Sequence, residues 1–144
     1  EQQITYRSLR RLVRQNAGAW QARGVRPGER VFVVAPDSVD WVVTYLGVIW
    51  AGGVAVGINP QLPAGELESI LAGSEPRFVW CEEEVARSVE QMQGVRVPVV
   101  RNDAAWAREV AATALVPAVK RDSEDPALWV GTSGTTGSAG APPA

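Results

Sequence analysis

Ala127-Leu128-Trp129-Val130-Gly131-Thr132-Ser133-Gly134-Thr135-Thr136-Gly137 runs from a short apolar stretch into a heptad of glycines and hydroxyl residues. The first four residues read as a buried strand. Gly131, Gly134 and Gly137 free the backbone for positive φ and let its N–H groups approach a ligand closely. The hydroxyls of Thr132, Ser133, Thr135 and Thr136 add donors beside those N–H groups. A donor-rich loop leaving a strand end suits a phosphate chain. By composition alone the heptad also suits a flexible linker. It is not a Walker loop, which requires a lysine directly after its second spaced glycine. Ser138 follows Gly137, and Lys120 is the one lysine of the chain.

Working back from the heptad, apolar runs alternate with helical patterns. Thr5 is placed to cap a helix whose apolar stripe is Leu9, Leu12, Val13, Ala17 and Trp20, ended by Gly24. Val31-Phe32-Val33-Val34 reads as a strand buried on both faces. Asp37 or Ser38 caps a helix over 39–51, and Val54–Ile58 is the next strand. Helices are expected over Pro63–Ala72, with Leu67, Ile70 and Leu71 inward, over Glu82–Met92, and over Ala104–Leu115. Strands are expected at Arg77–Cys81, Val97–Val100 and Ala127–Gly131, with Val116–Asp125 as a linker. The fold class is therefore α/β, a mostly parallel sheet with helices on both faces. Ligands of such sheets bind beyond the carboxyl ends of the strands, where the heptad begins.

Composition narrows the function classes. A hydrophobic share of 46% and a charged share of 21% describe a globular chain with a core. A net charge of −2 argues against nucleic acid as the main partner. The absence of histidine excludes His-based triads and His metal sites. Cys81 is the single cysteine, which rules out an internal disulfide, suits a reducing, cytoplasmic setting, and reads as a small buried hydrophobe. Trp41–Ile58 is an uncharged stretch of 18 residues, nominally long enough for a bilayer. Gly52-Gly53 divides it, so a buried helix followed by a buried strand is the reading. Glu82-Glu83-Glu84 reads as a solvated helix start rather than a metal site. Asp37 and Asp40 read as caps rather than catalytic acids, and Trp20, Trp41 and Trp50 as core packing.

Trp129 through Gly137 resembles the phosphate-loop signature of the adenylate-forming (AMP-binding) superfamily, which includes acyl- and aryl-CoA ligases, luciferases and peptide-synthetase adenylation domains. Three upstream stretches match in order. They are Ile4–Leu9, Gly24–Val31 with Ala35-Pro36-Asp37-Ser38, and Trp50–Pro60, the last resembling the family's AGAVYVPLNP element. The resemblance implies the first part of the large N-terminal domain of the acyl-CoA synthetase fold. Residues 1–137 would be an incomplete adenylation domain and 138–144 a disordered tail.

The resemblance further implies a ligase that uses ATP and Mg²⁺ to convert a carboxylic acid to an acyl-adenylate. Coenzyme A would then take the acyl group. Thr132, Ser133, Thr135 and Thr136 would offer hydroxyls to the β- and γ-phosphates, and Gly134 and Gly137 would let the loop wrap them. No catalytic residue and no metal ligand is assigned within this chain. The family's loop normally continues with x-Pro-Lys-Gly, whereas this chain has Ser138, Ala139, Gly140 and Ala141. Asp125-Pro126 and Trp129 pull toward aryl-CoA ligases of the benzoate type. The chain is expected to be an inactive fragment of the parent enzyme. Two alternatives stay open: an adenylation domain serving a carrier protein, and a truncated or frameshifted remnant without activity.

Overall fold

The computed structural model describes residues 4–115, 117–119 and 128–130, the last three as backbone. The chain alternates helix and strand: α1 (Tyr6–Ala22), β1 (Arg30–Val34), α2 (Val39–Trp50), β2 (Val54–Ile58), α3 (Ala64–Ser74), β3 (Phe78–Cys81), α4 (Glu83–Glu90), β4 (Val99–Arg101), α5 (Ala104–Ala111) and β5 (Leu128–Val130). The strands form one sheet in the order β4-β3-β1-β2-β5, and every pair is parallel.

Successive side chains of a strand point to opposite faces, and both faces of this sheet are covered. Val31 and Val33 of β1, with Phe78 and Trp80 of β3, face the side on which α1, α2 and α5 supply Ala17, Trp20, Tyr45, Val48 and Trp106. Phe32 and Val34 face the other side, where α3 and α4 supply Leu67, Leu71, Ala86 and Val89. The three layers were legible in the unbroken apolar run of β1, which has no polar face to offer water.

Local signals set the element ends. Thr5 accepts from the Ser8 N–H at 3.1 Å and starts α1. Gly24, at φ +96°, reverses the chain after α1, so that the Val25 N–H reaches the Trp20 carbonyl at 3.0 Å. Along the α1 stripe Val13, Ala17 and Trp20 are buried, Leu9 is half-buried, and Leu12 is exposed. Gly52, at φ +95°, separates α2 from β2 within the uncharged 41–58 stretch. Among the described residues no helix is long and apolar enough to cross a membrane.

Several expectations are corrected. Ser38 alone caps α2, accepting from the Trp41 N–H at 3.1 Å. Asp40 sits inside the first turn and accepts from the Asn102 side chain at 3.3 Å, so neither it nor Asp37 is the cap. α4 ends at Glu90 rather than Met92, and β4 runs Val99–Arg101 rather than 97–100. α5 ends at Ala111, four residues before Leu115. There the Thr113 hydroxyl donates back to the Glu109 carbonyl at 2.8 Å, competing with helix continuation. Part of the expected linker is tied to the fold, because the Val119 N–H donates to the Trp50 carbonyl at 3.0 Å.

Candidate functional site

The carboxyl edge of the sheet is built from the ends of β1, β2, β3, β4 and β5. β5 adds to the edge of β2 in register Ala55↔Leu128, Val56↔Trp129 and Gly57↔Val130. It ends at Val130, the residue before Gly131. The heptad residues Thr132, Ser133, Gly134, Thr135, Thr136 and Gly137, and the tail 138–144, lie outside the described residues.

The described part of this edge is polar and cross-linked. The Asn102 amide, just past β4, donates to Glu82 Oε2 at 3.0 Å and to Asp40 Oδ2 at 3.3 Å. One side chain thereby ties the exit of β3 to the first turn of α2. Asn59, just past β2, accepts from the Gln61 N–H at 2.8 Å and starts the turn into α3. Beside β5, Gly57 leaves space for Trp41: a Cβ there would lie 3.0 Å from the Trp41 ring. Trp41 in turn stacks on Tyr45, ring centroids 4.8 Å apart. The glycine of β2 thus lets an aromatic pair of α2 lie flat on the strand that carries β5.

The acidic triplet is used structurally. Arg101 donates to Glu83 at 2.6 Å and makes a bidentate pair with Glu90 at 2.7 and 2.8 Å. Those hydrogen bonds hold the Glu90 carboxyl below its ordinary range. Among the described residues no group of three or more Cys, Asp or Glu side chains is arranged to hold a metal ion. Cys81 is buried, and burial pushes its thiol up to about 12. At neutral pH it is a protonated core residue rather than a nucleophile. Burial likewise raises the Tyr45 hydroxyl. Trp20 is fully buried, while Trp41 and Trp50 pack half-buried against the same core.

Sequence reasoning passed over Asn16, which is buried within the apolar stripe of α1. Its Oδ1 accepts from the Trp20 indole at 2.8 Å. The signal was present in the four-residue spacing of an amide and an indole on one helix face.

The comparisons with known proteins agree with this architecture. The family model of the AMP-binding enzyme matches residues 1–139. The chain belongs to that family. It is similar to the 3-hydroxybenzoate–CoA/4-hydroxybenzoate–CoA ligase of Thauera aromatica, 32% identical over 95% of this chain and 28% of the relative. It is equally similar, at 32% identity over 93% of this chain and 28% of the relative, to the 3-hydroxybenzoate–CoA ligase of Aromatoleum sp. strain CIB. Among solved structures it resembles a Mycobacterium tuberculosis fatty acyl CoA synthetase. That match has a TM-score of 0.81 and 26% identity, covering 93% of this chain and 28% of that one. The chain thus spans about 28% of the length of the relatives it matches.

Proposed function

We propose that these 144 residues are the opening part of a cytoplasmic ATP-dependent aryl-CoA ligase acting on a benzoate-type acid. In the first half-reaction the acid's carboxylate oxygen attacks the α-phosphorus of ATP. An O–P bond forms, the α–β anhydride bond breaks, and pyrophosphate leaves from an acyl-adenylate. In the second, the thiol of coenzyme A attacks the acyl carbon. A C–S bond forms, the thiol proton departs to solvent or a base, and AMP leaves.

The role proposed for this chain lies in the first step. The leaving pyrophosphate is heavily charged, and orienting and neutralising it supplies most of the rate. Thr132, Ser133, Thr135 and Thr136 supply hydroxyl donors, and Gly134 and Gly137 let backbone N–H groups approach the same oxygens. Mg²⁺ would supply further charge neutralisation, and the ligands for it are sought outside this chain. The single observation that carries the reading is β5. It is parallel to β2 and ends one residue before the heptad, at the sheet edge where such folds take ligands. The benzoate class rests on the hydroxybenzoate–CoA ligases named above, together with Asp125-Pro126 and Trp129.

The test is exchange of labelled pyrophosphate into ATP by the full-length parent, with benzoates and fatty acids as substrates. Benzoate-dependent exchange is expected. Exchange with fatty acids alone overturns the acid class, and exchange with no carboxylic acid overturns the adenylation reading. The 144 residues by themselves are expected to show none. Thioester formation with free coenzyme A, rather than with a carrier protein, decides the acceptor.

A further inference from the structure

α1, α2 and α5 enclose a cavity of about 280 Å³ over Trp80 of β3. It lies on the opposite face of the sheet from Cys81. Leu12, Val43 and Val110 give it an apolar wall, and Gln15, Thr44 and Asn102 give it neutral polar groups. Trp80 is 1% exposed, and among the described residues its indole N–H has no hydrogen-bond acceptor. Every other ring of that aromatic cluster is settled by its neighbours. Trp20 donates to Asn16 at 2.8 Å and stands 4.8 Å from the Trp106 ring, centroid to centroid. A buried donor without an acceptor, in a side chain that lines a cavity, marks where an acceptor is to be supplied.

We propose that this cavity binds a small uncharged molecule of about one ring in size whose oxygen accepts from the Trp80 indole N–H. Charge selects against anions: Asp40 is the one ionisable side chain lining the cavity, and neither arginine nor lysine lines it. Size selects a single ring. Cavities of about 150 Å³ already admit benzene, and drug-sized ligands occupy roughly 300 Å³ or more. Water satisfies the indole but leaves the Leu12, Val43 and Val110 wall without apolar contact.

Phenol is the probe, with toluene as the ring that lacks the acceptor. The chain has six tryptophans, so ¹H–¹⁵N spectra carry six indole resonances, and Trp80→Phe assigns the one that matters. Phenol is expected to move the Trp80 indole resonance saturably, with a dissociation constant on the order of 1 mM. Toluene is expected to bind about fivefold more weakly, having lost one neutral hydrogen bond. Ala107 lines the cavity mouth and is exposed on α5, so Ala107→Phe fills the space without disturbing the core. That variant is expected to weaken phenol about tenfold or more. A Trp80 resonance that stays still, drifts without saturating, or responds equally in Ala107→Phe overturns the site. Toluene binding as tightly as phenol overturns the role of the indole N–H.

Discussion

Asn16 occupies the space that a side chain at Gly47 would need. A Cβ built on Gly47 collides with the Asn16 amide oxygen, the same oxygen that holds the Trp20 indole at 2.8 Å. α1 and α2 therefore cross at a glycine because a buried amide is committed elsewhere. Gly47→Ala gains roughly 1 kcal/mol of helix propensity. It costs more, since the amide has to withdraw and leave a buried donor unpaired. A net loss of about 1–3 kcal/mol in urea unfolding is expected. Gly73→Ala in α3, where a Cβ meets nothing within 4 Å, is the contrast and stabilises. Equal stability for Gly47→Ala and the parent chain contradicts the crossing.

Glu75 closes α3 in the left-handed region at φ +49°, the one non-glycine residue with positive φ among those described. Its side chain is exposed, so relief of the backbone is not offset by lost packing. Glu75→Gly is expected to stabilise by about 0.5–1 kcal/mol, and Glu75→Val to destabilise by about 1 kcal/mol. Thermal midpoints of the two variants, read against the parent, check the order.

Cys81 links core packing to alkaline stability. Its thiol rises from 9.0 to about 12, with burial as the largest cause, opposed by the Arg101 charge and reinforced by Glu82, Glu90 and Glu83. The folded value lies above the unfolded one, so the contribution is complete below pH 9 and is lost as pH rises toward 12. Cys81→Ala is expected to flatten the fall in stability across that window. Iodoacetamide at pH 8 is expected to label the thiol only as fast as the fold opens, and rapid labelling of the native chain contradicts its burial.

Arg101 joins β4 to α4 through Glu83 and Glu90. Glu90 is lowered by its hydrogen bonds to Arg101, so the contribution is present above the ordinary carboxylate range and lost as pH falls through the folded value. In Arg101→Gln the Glu90 carboxyl is expected to titrate at a higher pH than in the parent, followed by carbon NMR. The gap in thermal midpoint between the two should narrow in acid. A Glu90 titration that does not move denies the pair any electrostatic role.

The sheet was legible because its strands are continuous apolar runs and its turns carry their own chemistry. Val31–Val34 and Val54–Ile58 have no polar face, and Gly24 and Gly52 take the positive φ that ends each preceding helix. The helix ends were less legible where a side chain or a neighbouring element decides them. Thr113 back-bonding stops α5 early, and Ser38 rather than an aspartate caps α2. The Asn16–Gly47 crossing and the Arg101 clamp are long-range, between residues 31 and up to 18 positions apart, and no local pattern announces them. For the candidate site, the strand leading to the heptad was read correctly up to Val130, and the heptad itself lies outside the described residues.

The measurement that tests the central claim most directly is Thr135→Ala in the full-length parent, with the two half-reactions assayed separately. The Thr135 hydroxyl is proposed to donate to a phosphate oxygen, a charge-assisted bond worth roughly 1.5–3 kcal/mol. Its loss should slow adenylation by about ten- to a hundredfold. Thioester formation from supplied acyl-adenylate involves no pyrophosphate and should keep its rate. Slowing of adenylation alone is the predicted result; equal slowing of both half-reactions, or of neither, contradicts the phosphate-binding role of the heptad.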